Sequence, residues 1–268
     1  MERLLYIAVL VCYAVATVGH LLPGLLGERV EARLRALVAT GAVLHLGTLA
    51  YGALTSDLPP GFPEALSATA LGIVVAYTWV GEGRLRAVGI LLVPLALVLL
   101  GTSQVVPHHR VAALSSTGTS PWLPIHLGLI FSGVGGFALS SAVGVVFLWT
   151  RRRLKLKRFD GLGRLPSLEV LDRIQFRSML FGFTFLTLGI GAGGAWAAMS
   201  LHETWTVDPK VWFTLLIWLW YGAALQVRLV LGRRGRWTAL FSIAGFGGLV
   251  FSLIGANFLL SGWHTYGG

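Results

Sequence analysis

The sequence predicts an all-α fold, a polytopic membrane bundle of about eight transmembrane helices, and three observations support that prediction. Hydrophobic residues make up 55% of the chain and charged residues only 12%. A soluble domain carries about 25% charged residues. The mean hydropathy is +0.76. Apolar runs of about 20 residues recur along the whole chain, and a helix of this length crosses about 30 Å of hydrocarbon.

The apolar runs define the predicted helices. Only helices and closed barrels satisfy their backbone hydrogen bonds in lipid, and runs of this length are helices. No polar stretch is long enough to form a separate soluble domain, so residues 1–268 are predicted to be a single integral membrane domain. The first run is too long for a signal-peptide core and is expected to remain as a span. The predicted spans are 4–26, 34–55, 62–80, 84–103, 122–149, 176–200, 210–231 and 237–260.

Basic residues mark one side of the predicted bundle. All but three of the 21 lysine and arginine residues lie in or beside the odd-numbered loops, the exceptions being Arg3, Arg110 and Lys210. Because basic residues near membrane spans stay in the cytoplasm, the odd-numbered loops are expected inside the cell. Both termini are then expected on the outer side of the membrane. The net charge of +10 then indicates orientation and not nucleic-acid binding, and the arginines are expected to have little further role. Loop five, which joins spans five and six, is the largest predicted cytoplasmic segment. A short amphipathic helix is expected in it near 165–174.

Most of the seven histidines lie on the opposite side from the arginines. His126 lies about one turn into span five, and His264 follows span eight by about one turn, so the two share a similar depth on different helices. Two neutral imidazoles that face each other can ligate a heme iron from both sides. Hydrogen-bonded surface histidines are the alternative, and it stays open. Inside the spans, His20 and His45 are interpreted as hydrogen-bonded packing residues.

Tryptophans flank the short external loop six, at Trp196, Trp205 and Trp212. Their flat apolar faces and indole N–H groups suit a porphyrin that lies at the membrane surface. The alternative is the ordinary aromatic belt, in which tryptophan gathers at both membrane interfaces. Spans five and six are rich in glycine, which favours close packing of helices. These glycines are Gly133, Gly135 and Gly136 in span five, and Gly189, Gly191, Gly193 and Gly194 in span six.

Four segments together resemble the cytochrome c assembly proteins, in particular the CcsA (ResC) and HemX-like branch with its tryptophan-rich WWD segment. Residues 194–196 read GAW and residues 205–211 read WTVDPKV, which is similar to the family's external loop. Residues 120–126 (SPWLPIH) and 257–267 (NFLLSGWHTYG) resemble the segments around its two external histidines. The resemblance spans most of the chain and is strongest over 120–268.

The resemblance implies that His126 and His264 are the axial iron ligands of a transiently bound heme b at the external face. It implies that this heme is delivered to apocytochrome c with a membrane partner of the CcsB (ResB) type. The chain itself is then a non-catalytic or accessory component in the lipid bilayer. The porphyrin loop would comprise Trp196, Trp205, Asp208, Pro209 and Lys210, with secondary positions at Trp122, Glu64, His202 and His45.

The chain departs from the family pattern at Val207, Val211 and Gln226. CcsA-type members carry a histidine inside the membrane where Gln226 stands, and glutamine is a poor iron ligand. The path of heme across the membrane is therefore left open, with His45 as a conceivable substitute. Two other functions also stay open. One is a HemX-like membrane regulator or scaffold in heme biosynthesis. The other is a generic small-molecule transporter, which predicts broken helices and polar groups at mid-membrane.

Overall fold

The computed structural model describes residues 2–22, 28–55, 61–79, 86–106, 122–158, 165–200 and 209–255. Across these ranges the chain forms eight α-helices and no strand, which confirms the predicted all-α bundle. A five-residue π-helical turn, Phe251–Gly255, follows the last α-helix. The helices are α1 (Glu2–Leu21), α2 (Glu28–Thr55), α3 (Phe62–Trp79), α4 (Arg86–Val105), α5 (Trp122–Lys155), α6 (Leu168–Ser200), α7 (Pro209–Leu229) and α8 (Arg236–Val250).

Six of the eight helices in the described ranges are long and apolar enough to cross a membrane. The other two are α3 and α7. Helix α3 has only 18 residues, with Glu64 in its first turn. Helix α7 is rich in tryptophan, whose indole N–H makes its hydropathy lower than that of an aliphatic helix of equal length. The chain is a multi-pass membrane protein.

The start of α6 differs from the prediction. The helix begins at Leu168 and not at residue 176. The prediction of a separate amphipathic helix near 165–174 is therefore wrong. Leu171 and Gln175 are fully buried, and Ser140 of α5 donates to the Gln175 carbonyl at 3.0 Å. Because these residues pack against α5, the helix continues beyond its most apolar stretch. Helix α5 likewise extends to Lys155, past the predicted end at 149.

Helix α5 is the central helix, and glycines bring its backbone close to two neighbours. Gly135 lies against the backbone of Gly72 in α3, and a Cβ at Gly135 would overlap the Gly72 carbonyl oxygen. On another face, Gly136 packs on Gly182 of α6, where a Cβ would lie 2.8 Å from the backbone nitrogen. Small residues therefore allow the close helix contacts that the sequence predicted for this span.

The end of the bundle that carries Arg151–Arg153 and Arg228 is called the arginine end. Arg228 of α7 is buried and forms a bidentate ion pair with Asp172 of α6, with both N–O distances at 2.7 Å. Asp172 also accepts the backbone N–H of Gly235 at 2.9 Å, and the guanidinium lies 4.4 Å from the ring centroid of Phe176. The expectation that arginines have little role beyond orientation is therefore wrong for Arg228, which joins α6, α7 and the turn before α8.

Candidate functional site

His126 lies near the start of α5, at the opposite end of the bundle from the arginine end. Its Nδ1 lies 2.8 Å from the carbonyl oxygen of Gly189 in α6. Because a carbonyl can only accept, Nδ1 carries a proton, and in the neutral imidazole Nε2 then carries the lone pair. A carbonyl that holds the second ring nitrogen is the usual companion of a metal-ligating histidine, since it fixes both the tautomer and the ring direction. The imidazole is therefore set in a ligand-competent form.

Glycines on α6 make room for this imidazole. A Cβ at Gly193 would lie 2.7 Å from both Cε1 and Nδ1 of His126, so the ring rests on bare backbone. Gly189, one turn earlier, supplies the carbonyl acceptor. By contrast, a Cβ at Gly191 or Gly194 would meet nothing within 4 Å among the described residues. Four glycines that the sequence grouped together as packing residues thus separate into two that hold the histidine and two that do not.

Trp196 lies on the same face of α6, three residues beyond Gly193 and seven beyond Gly189. Its side chain is only 6% exposed. Within the described residues, the indole Nε1–H meets no hydrogen-bond acceptor. A buried donor left without an acceptor costs about 1–3 kcal/mol. Such a donor can serve a hydrogen-bond acceptor of a ligand that lies against this part of α6.

Several predicted site residues lie outside the described ranges. Pro209 and Lys210 are the first two residues of α7, and their side chains are not among those described. The pairing of His126 with a second histidine and the make-up of the loop therefore stay predictions. The predicted residues that lie wholly outside the description are Trp205, Asp208, His202 and His264.

His45 is fully buried among α1, α2 and α3. Its Nδ1 lies 3.2 Å from the Tyr13 hydroxyl, and its Nε2 lies 2.8 Å from the Ser67 hydroxyl. His20 is also buried, and its two ring nitrogens contact the Ala16 carbonyl and the Tyr77 hydroxyl, each at 2.7 Å. Both rings use both nitrogens within the bundle, which favours the interpretation as hydrogen-bonded packing residues.

The remaining secondary positions have local roles. Glu64 accepts the backbone N–H of Gly61 at 2.7 Å, which caps the start of α3. Trp122 is the first residue of α5 and is 38% exposed. Gln226 lies on the exposed side of α7, two residues before the buried Arg228. The structure thus places the Gln226 side chain on the outside of the described bundle.

No group of three or more histidine, cysteine, aspartate or glutamate residues in the described ranges gathers into a metal site. The oriented imidazole and the buried indole donor fit an iron porphyrin, whose ring would supply four nitrogen ligands of its own. They define the class of protein: a multi-pass membrane protein with a ligand-competent histidine at one end of its helix bundle.

The family model for the cytochrome c assembly protein matches residues 31–264, and the chain belongs to this family. It is 32% identical over 168 residues to the cytochrome c biogenesis protein CcsA of Prochlorococcus marinus strain MIT 9515. It is 28% identical over 213 residues to the CcsA of Trieres chinensis. The first match covers 55% of this chain and 54% of the relative, and the second covers 68% of each. The chain thus spans about half the length of the Prochlorococcus protein, and the resemblance to the family is confirmed.

Proposed function

We propose that this chain handles heme in cytochrome c biogenesis, binding heme b transiently at the His126 end and presenting it to apocytochrome c. The observation that carries the proposal is the hydrogen bond from His126 Nδ1–H to the Gly189 carbonyl, which fixes Nε2 as a potential iron ligand. Family membership across residues 31–264 supports the part of the proposal that concerns cytochrome c biogenesis. The printed names of the relatives, cytochrome c biogenesis protein CcsA, agree with it.

In this proposal His126 and His264 would hold the heme iron. Trp196 would donate its buried Nε1–H to a heme propionate. Lys210 would contact the propionates through a charge-assisted hydrogen bond, which is stronger than a neutral one. The rest of the loop, at Trp205, Asp208 and Pro209, would cover the porphyrin face. When bound, the heme supplies the vinyl groups with which the cysteines of the apocytochrome react.

The chain's own contribution is positioning, because holding two reactants in place removes much of the entropic cost of their encounter. Its single cysteine, Cys12, lies in α1 and cannot form an internal CxxC pair. The thiols therefore come from the apocytochrome, and a membrane partner of the CcsB type completes the complex. In this proposal the arginine end faces the cytoplasm, as the positive-inside rule favours, and the His126 end lies outside.

A second candidate is a HemX-like regulator or scaffold in heme biosynthesis. Gln226 favours it, because this residue is exposed on α7 and offers no intramembrane ligand for heme on its way outward. The transporter alternative gains no support from the described helices. The buried polar groups at His20 and His45 are hydrogen-bonded within the bundle.

A complementation experiment separates the two candidates. Deleting the gene in its host is expected to abolish covalent heme staining of c-type cytochromes, and the parent gene is expected to restore it. His126→Ala is expected to restore less than a tenth of the staining, because a lost iron ligand removes the site. Ile125→Ala, at an exposed neighbour, is the matched control and should restore staining fully. Normal staining after deletion, with changed levels of heme precursors, would support the regulator and overturn the heme-delivery proposal.

A further inference from the structure

The arginine end holds an open pocket at the end of α5, far from His126. Its volume is about 240 Å³, and it is lined by Trp149, Arg152, Arg153, Leu156 and Arg158. Three arginines therefore line it together with one tryptophan and one leucine, and none of these lining residues is acidic. The pocket combines positive charge with apolar walls.

The arginines of this pocket are not needed to cap the helix. The backbone N–H of Arg158 donates to the Arg153 carbonyl at 3.0 Å, and that of Lys157 donates to the Leu154 carbonyl at 3.1 Å. Lys157 has a φ of 55°, the left-handed conformation that closes a helix in this pattern. Because backbone donors already satisfy the Arg153 and Leu154 carbonyls, the guanidinium groups are not required there and can serve another acceptor.

Arg153 is the clearest case in this pocket of a donor that lacks an acceptor among the described residues. Its guanidinium carbon lies 5.0 Å from the ring centroid of Trp149, so the indole holds it in place. Its Nε is buried and meets no acceptor among the described residues. At the same end, by contrast, Arg173 has a carboxylate partner, Glu169, at 3.0 Å. Arg153 thus differs from Arg173 in having a buried donor that meets no acceptor among the described residues.

The surroundings of the pocket indicate what kind of acceptor fits. Helix α5 is long and apolar enough to span a membrane, and the pocket lies where the helix leaves its apolar stretch. Trp149 is 45% exposed and Leu156 is 55% exposed, so an apolar chain can lie against both. Guanidinium groups bind phosphate oxygens bidentately, and basic pockets beside membrane helices bind anionic lipid headgroups.

We propose that this pocket binds the phosphate of an anionic phospholipid in the membrane leaflet at the arginine end. Arg152 and Arg153 hold the phosphate oxygens, Trp149 fixes the Arg153 guanidinium, and Leu156 contacts the upper part of an acyl chain. The site is separate from the histidine site at the other end of the bundle, and it does not depend on the proposed function.

The test measures lipid binding by native mass spectrometry of the full chain in a neutral detergent, with phosphatidylglycerol or phosphatidylcholine added. Each basic residue near an anionic lipid contributes about five-fold in binding, so Arg152→Gln/Arg153→Gln should weaken phosphatidylglycerol binding about 25-fold. Arg173→Gln, at an exposed arginine paired with Glu169, is the matched control and should bind as the parent does. Phosphatidylcholine binding should be weak and equal in all three proteins.

A second variant, Arg153→Lys, keeps the test decisive if the double variant misfolds. Arg153→Lys keeps the charge but loses the planar fork, and it should bind phosphatidylglycerol with an affinity between those of the parent and the double variant. Equal phosphatidylglycerol affinity in the parent and both pocket variants would overturn the proposal. Displacement of the lipid by millimolar inorganic phosphate would also overturn it, because the pocket would then be a site for the free ion.

Discussion

Replacing Asp172 by alanine is expected to destabilise the protein severely, by about 3–5 kcal/mol, because it leaves the Arg228 guanidinium buried without a counterion. The Arg228 side chain is 8% exposed and that of Asp172 is 18% exposed, so water cannot replace the lost carboxylate. The same substitution also removes the acceptor for the Gly235 N–H at the turn before α8. The measurement is thermal unfolding of the purified protein in detergent, where the melting temperature should fall by many degrees.

Glu169→Ala is the matched control for this prediction. Glu169 lies one turn earlier on α6 and forms an ion pair with Arg173, but the two side chains are 82% and 57% exposed. An exposed pair contributes about 0–1 kcal/mol, so this variant should melt close to the parent. The double variant Asp172→Ala/Arg228→Met should recover part of the loss, since it removes the orphaned charge. Equal melting temperatures for Asp172→Ala and Glu169→Ala would contradict a structural role for the buried pair.

Gly193→Ala is expected to reduce heme binding strongly while the fold persists. The new Cβ would lie 2.7 Å from two ring atoms of His126, so the imidazole must move away from α6. That movement stretches the 2.8 Å contact between Nδ1 and the Gly189 carbonyl. Disturbing the group that orients a metal ligand lowers metal affinity about 10- to 100-fold. The measurement is heme content per polypeptide after purification, from the absorption spectrum and a protein assay.

Gly191→Ala supplies the control on the same helix. A Cβ there meets nothing within 4 Å among the described residues, so its heme content should equal that of the parent. Both substitutions raise helix propensity equally, which removes that effect from the comparison. Equal heme content in the two variants would show that the glycine beneath His126 does not position the imidazole. Such a result would leave ligation by His126 itself to be tested separately.

The helical bundle could be predicted from the sequence because the membrane imposes it. Runs of apolar residues long enough to cross the bilayer must be helical. The ends of the helices were harder to predict, as the start of α6 shows. Its first turns contain Glu169 and Asp172, which read as a solvated loop, yet Leu171 and Gln175 pack inside the bundle. Tertiary contacts decide such a boundary, and local composition does not reveal them.

The candidate site was predicted in part. His126 stood out because its depth and its sequence context both pointed to ligation. The sequence could not show that Gly189 orients the ring, since the register between α5 and α6 depends on packing across the whole helix pair. The ion pair between Asp172 and Arg228 was not predicted for the same reason. The two residues are 56 positions apart, so only packing brings them together. A charged residue inside an apolar run was the available signal for Arg228, whereas Asp172 lay in a segment that read as a solvated loop.

The most direct test of heme ligation is the absorption spectrum of the purified protein with His126→Gly, recorded with and without added imidazole. The parent is expected to show the sharp spectrum of a low-spin heme with two histidine ligands. His126→Gly should lose most of its heme or become high-spin, and imidazole should restore the low-spin spectrum by occupying the vacated position. An unchanged low-spin spectrum and heme content in His126→Gly without imidazole would contradict the account.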